Sequence, residues 1–179
     1  MNSDQDYGFD VAGFIRLPQV LTAEEMQACT QAIDAVGRDE GMLEWPAPWG
    51  EAFRRLQEHP ALQDILGALC GPDFVLDCPP SLVVARADAT VGVPLSAGDP
   101  ERNRRLRYVN YTQVRISHGV RVVWALAPST PKEGGLVLVP ASHNRKMEPP
   151  ADFLSGAKNL EMTEILELQA GDLLVCAAT

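Results

Sequence analysis

Three histidines, His59, His118 and His143, are the only imidazoles in the 179-residue chain, and they bound the metal and acid–base chemistry it can perform. His59 directly precedes Pro60 and reads as a surface residue at a helix boundary. His118 lies in Ile116-Ser-His-Gly119, a turn or strand edge, and His143 in Pro140-Ala-Ser-His143-Asn, after an apolar run. With Asp88 and Asp99, His118 and His143 are the candidate metal ligands, although none falls into a recognised ligand spacing and both aspartates read more simply as loop residues. Four cysteines, Cys29, Cys70, Cys78 and Cys176, form no C-x-x-C pair and no zinc pattern, so they are expected to be reduced, mostly buried thiols. The densest cationic group is Arg102, Arg104, Arg105 and Arg107. Its plain reading is a solvated loop, and its chemical reading is a clamp for an anionic substrate, a carboxylate or the phosphates of a coenzyme A thioester. Trp45 and Trp49, spaced by prolines, either pack a loop onto the core or cover a pocket mouth. No Ser-His-Asp site, phosphate loop or zinc site is present.

The surrounding chain is that of a soluble globular domain, with 46% hydrophobic and 22% charged residues and a formal net charge of −9. That charge argues against general affinity for nucleic acid or anionic membranes. No apolar run is long enough to span a bilayer. Met1 to Asp10 is acidic and polar, unlike a secretory signal, and a cytoplasmic protein is expected.

The elements that must position these residues fall into two textures. Gly13 to Leu17 reads as a short strand closed by Pro18. Thr22 and Glu25 form a capping box before a helix over about 23–36, with Met26, Cys29, Ile33 and Val36 at helical spacing. Helical stretches follow at Phe53 to Glu58 and from Pro60, with Gly71 as the stop. From there short apolar runs dominate: Phe74–Leu76, Leu82–Ala85, Val120–Leu126, Leu136–Val139, Ile165–Leu168 and Leu173–Cys176. Such runs between turn residues predict strands. Gly134 and Gly135 read as a turn requiring positive φ, Asp172 as turn chemistry at a strand start, and Pro94 to Arg107 as a long loop. One domain is expected, a helical front over 1–71 and a β-rich core over 73–179, folded as an antiparallel sandwich or barrel with helices outside.

Trp124-Ala-Leu-Ala-Pro, Gly134-Gly-Leu-Val-Leu-Val-Pro-Ala-Ser-His143 and Gln169-Ala-Gly-Asp172-Leu-Leu-Val, in this order and behind Gly13-Phe-Ile, resemble the phytanoyl-CoA dioxygenase-like family of non-haem iron(II)/2-oxoglutarate oxygenases. Ala141 stands where that family usually has glycine. The resemblance implies a double-stranded β-helix, a cupin-like jelly-roll, with iron(II) and 2-oxoglutarate as cofactors and a small organic substrate. It implies that Trp124 lines the 2-oxoglutarate pocket and that His143 supports the turn after its strand. It also exposes departures. Ser96 in Leu95-Ser-Ala-Gly98 stands where many relatives place the first histidine ligand. In another register Arg86 replaces it, ahead of Asp88. The chain stops at Thr179, in or just after the strand before the family's distal histidine. A jelly-roll incomplete at its C-terminus is therefore expected, with iron held poorly or not at all. The alternative to an oxygenase is a catalytically inactive binding or scaffold protein on the same fold.

Overall fold

The computed structural model describes residues 1–36, 42–44, 50–78, 80–83, 105–111, 114–132, 135–158 and 160–178. Among the described residues five α-helices, α1 (Ser3–Ala12), α2 (Ala23–Val36), α3 (Gly50–Gln57), α4 (Pro60–Cys70) and a short α5 (Ala151–Leu154), accompany nine strands. The strands are β1 (Phe14–Leu17), β2 (Met42–Glu44), β3 (Ser81–Val83), β4 (Tyr108–Tyr111), β5 (Val114–Ser117), β6 (Val120–Trp124), β7 (Leu136–Leu138), β8 (Glu164–Leu166) and β9 (Leu173–Ala177). All pairing is antiparallel: a sheet in the order β1-β9-β6 and three two-stranded ladders, β2-β3, β4-β5 and β7-β8. A Ser129–Leu168 bridge adds to the β7-β8 end. Among the described residues these sheets form no closed barrel.

The central strand explains the architecture. Leu173, Leu174 and Val175 are fully buried, because β9 is covered on both faces. Alternation sends Leu173 and Val175 to a cluster with Phe9, Ile15, Leu62, Ile65, Leu69 and Tyr108, the side of α1 and α4. Leu174 and Cys176 turn the other way, to Ala125 and Leu168, with Phe14, Val123, Leu136, Leu138 and Leu166 around them. A third cluster, Leu21, Cys29 and Leu56, ties α2 and α3 to Trp124 and Leu126.

Several expectations change. Residues 1–10 contain a helix, because Asn2 and Gln5 form a reciprocal capping box and Phe9 gives it a buried anchor. A polar composition hides an anchor of one residue. Phe74–Leu76 forms no strand; Val75 and Leu76 are exposed. Tyr108–Ser117 forms a hairpin that its polar residues conceal. Gly135 does not have positive φ. It is needed for space, since a Cβ there would stand 2.8 Å from Ile165 Cγ2; Gly134 lies outside the described residues.

Asp172 does more than start a strand. Its side chain is wholly buried. One oxygen accepts from the Gln19 amide at 2.9 Å, the other from the Gln169 amide at 2.8 Å and from Arg16 Nε at 2.8 Å. Arg16 also donates to the Glu167 carbonyl at 3.0 Å. Two turns and a strand thus meet on one carboxylate. Asp172→Ala would leave two amides and a guanidinium unanswered, and a loss of about 3–5 kcal/mol is expected. Urea unfolding of the two chains checks this, and a difference below about 1 kcal/mol would contradict the assignment.

Candidate functional site

Three of the described candidates, Arg105, Arg107 and His118, meet at one end of the β1-β9-β6 sheet. The turn between β5 and β6 lies beside the end of β9: Val120 is opposite Ala177, and the Ala178 amide donates to the Gly119 carbonyl at 3.1 Å. One step beyond the Tyr108–Ser117 pair of the hairpin, the His118 amide donates to the Arg107 carbonyl at 3.1 Å. The buried Ser117 hydroxyl donates to the Gly119 carbonyl at 3.0 Å and holds the turn. Leu106 closes over Gly119 so tightly that a Cβ there would stand 2.6 Å from Leu106 Cδ2. Beside it is an open groove of about 310 Å³ lined by Asp77, Cys78, Arg105 and Leu106. Arg105 and Arg107, from the arginine cluster of the sequence, and His118, singled out apart from it, therefore share one exposed rim. Arg102, Arg104, Asp88, Asp99, Ser96, Arg86, Trp45 and Trp49 lie outside the described residues.

His143 lies elsewhere and is buried. Its Nε2 is 3.0 Å from the Asp10 carbonyl, a contact that requires Nε2–H as donor and leaves Nδ1 bare. Nδ1 has no partner and is pressed against Gly13, where a Cβ would stand 2.3 Å from it. Gly13 caps α1 at φ 82°, so both its conformation and its missing side chain are used. Tyr108 packs edge-on to the ring at 4.8 Å between centroids. The Tyr108 hydroxyl donates to Asp10 Oδ1, burial and that bond raising its pKa, and Asn110 donates to the same oxygen at 2.7 Å. The Ala141 amide donates to the Ala12 carbonyl at 2.8 Å. The Pro-Ala-Ser-His turn thus latches the end of α1. Ala141 has φ 61° and ψ 4°, the left-handed region in which glycine is the natural occupant. A cavity of about 50 Å³ lies between this latch and β9, lined by Gly13, Phe14, Leu138, Ser142, His143 and Cys176 among others.

Trp124 is partly buried at the end of β6 and packs against two of the core clusters. His59 meets it edge-on at 5.4 Å between centroids. That histidine is no simple surface residue: its Nδ1 accepts from the Ala61 amide at 3.2 Å as the cap of α4, and Nε2 lies 4.0 Å from Glu25. Of the four cysteines, Cys29 and Cys176 are buried, Cys70 is half-buried and Cys78 exposed. Burial pushes the Cys29 thiol up to about 11 and the Cys176 thiol up to about 12, which makes both inert at neutral pH.

Iron fits poorly here. Among the described residues no group of three histidine, cysteine or acidic side chains is placed to hold a metal. All three histidines are described. His59 serves as a cap and His143 as a latch; only His118 is exposed. A centre with two histidine ligands does not assemble from them in this arrangement.

No protein-family model and no curated protein matches the sequence. Solved structures do match. HygX from Streptomyces hygroscopicus, in its apo form, superposes with a TM-score of 0.78 at 16% identity, over 99% of this chain and 78% of HygX. HygX with nickel, 2-oxoglutarate and hygromycin B bound gives 0.74 at 14% identity, over 99% and 78%. The epimerase SnoN, in complex with Fe3+, alpha-ketoglutarate and nogalamycin RO, gives 0.60 at 18%, over 98% and 72%. The fold is thus that of iron- and 2-oxoglutarate-dependent oxygenase-like enzymes, in line with the motif resemblance. Among the described residues no helix is long and apolar enough to cross a membrane.

Two outcomes follow for the latch. Burial holds the His143 pKa below its ordinary value of 6.5, so in the window just below 6.5 the unfolded chain binds the extra proton. Stability falls as pH drops through that window; in unfolding titrations at pH 7.5 and 5.5, part of that loss is absent in His143→Gln. Ala141→Gly should stabilise the chain by about 0.5–1 kcal/mol, left-handed strain being relieved against a more flexible unfolded state, as chemical denaturation would measure.

Proposed function

We propose that the chain is a single jelly-roll domain of the phytanoyl-CoA dioxygenase-like kind, a cytoplasmic iron(II)/2-oxoglutarate-dependent oxygenase that hydroxylates a small organic molecule with an anionic end. The observation that supports this is the match over 99% of the chain to HygX, a protein seen with nickel, 2-oxoglutarate and hygromycin B, together with the ordered Trp124, His143 and Asp172 motifs. Trp124, at the end of β6, is the proposed wall of the 2-oxoglutarate pocket. His118, the one exposed imidazole, is then a proposed donor for iron, and the other donors have to come from beyond the described residues, with Asp88 and Asp99 the proposed carboxylates. A second reading is favoured by the capping and latching roles of His59 and His143: a metal-free binding module on the same fold.

Anaerobic calorimetry of the chain with iron(II), with and without 2-oxoglutarate, separates the two. The oxygenase reading expects binding of one iron that tightens with 2-oxoglutarate, and succinate release in air. No uptake of iron by a chain shown to be folded by circular dichroism would leave the binding module.

A further inference from the structure

Arginine in an acidic chain normally finds an acid. Here Arg16, Arg54, Arg55, Arg115 and Arg145 each do, with Asp172, Glu51 and Glu58, Glu51, Asp6 and Glu148 respectively. Among the described residues Arg105, Arg107 and Arg121 have no such partner, although the formal net charge is −9, and of these Arg105 and Arg107 lie together beside a groove. Both are exposed and stand two residues apart on the approach to β4. His118 is beside them through its backbone bond to Arg107. Cross-strand neighbours of this kind carry their side chains on one face. Among the described lining residues Asp77 is the one carboxylate, and it accepts from the Cys78 thiol at 3.6 Å. Leu106 and Cys78 give the groove an apolar wall beside the cations.

We infer that the rim of Arg105, Arg107 and His118 seats the anionic group, a carboxylate or a phosphate, of the organic molecule that this protein binds, with the Cys78–Leu106 groove taking the adjoining apolar part. Two guanidiniums and an imidazole offer planar and point donors to anionic oxygen. Their position beside the end of β9 puts the anchored end of the ligand at the mouth of the sheet. The inference rests on the reading that this fold takes up a small organic molecule, and it does not need iron to be bound.

The test titrates the full chain separately with succinate and with inorganic phosphate by calorimetry, comparing it with Arg105→Gln/Arg107→Gln, His118→Gln and the control Arg54→Gln. Circular dichroism melts confirm that each variant is folded. Expected is binding at about 1 mM or tighter, at least tenfold weaker in the double arginine variant and unchanged in the control. The histidine NMR signal that disappears in His118→Gln should move on addition of the anion. Tighter succinate assigns a carboxylate, tighter phosphate a phosphate ester. Equal affinity in all four chains, no binding by the folded protein, or an NMR shift confined to His59 and His143 overturns the rim. Rim-dependent anion binding without iron uptake keeps the rim and discards the oxygenase. Iron and 2-oxoglutarate uptake with unaffected rim variants does the reverse.

Discussion

The buried carboxylate of Asp172 is the constraint on which the sheet depends. A charge removed from water is tolerated only where its oxygens are answered, and here two backbone amides and one guanidinium answer them. The amides belong to Gln19, in the turn after β1, and Gln169, in the turn before β9. The guanidinium belongs to Arg16 on β1 itself. Segments about 150 residues apart in sequence are therefore fixed relative to one another. The register follows: Leu17 opposite Leu173 and Trp124 opposite the same Leu173. Gly171 adds to this, its carbonyl accepting from both Val20 and Leu21.

With that end pinned, the other end of the sheet needs its own tether, and the His143 latch supplies it. β1 leaves α1 through Gly13, and the turn at Ala141–Asn144 grips that junction through Ala12, Asp10 and the face of Gly13. The two tethers lie at opposite ends of β1, one at Arg16–Gln19 and one at Asp10–Gly13. The strand between them has little freedom to slip. This explains why a histidine in a family-like motif is buried and neutral. Its work is geometric, and a proton on Nδ1 would have nowhere to point.

Elements with strong periodicity or clear punctuation were legible in the sequence. The Thr22–Glu25 box and the Pro60 and Gly71 signals mark α2 and α4 because capping is a local interaction between nearby residues. The β9 run is legible because burial on both faces makes it continuously apolar, and the β6 run because Val120, Val122, Val123 and Trp124 outweigh one exposed arginine. What escaped depends on distant partners. α1 has Phe9 as its buried residue, and the Tyr108–Ser117 hairpin is rich in polar groups that Asp10 and Asp6 satisfy from the far end of the chain. The same holds for the site. Arg105, Arg107 and His118 were visible as residue types, yet their meeting is a product of the hairpin register. Asp172 was visible as part of a turn, but its three partners come from elements that sequence alone does not bring together.

The separation between what holds the fold and what faces solvent bears on its chemistry. The clusters on both faces of β9, the Asp172 junction and the His143 latch draw on apolar contacts and internal polar pairs. Two of the three histidines serve that scaffold, as a cap and as a latch, while His118 is exposed beside Arg107. On the proposal made above, selectivity for an anionic ligand resides in that rim and not in the parts that hold the fold.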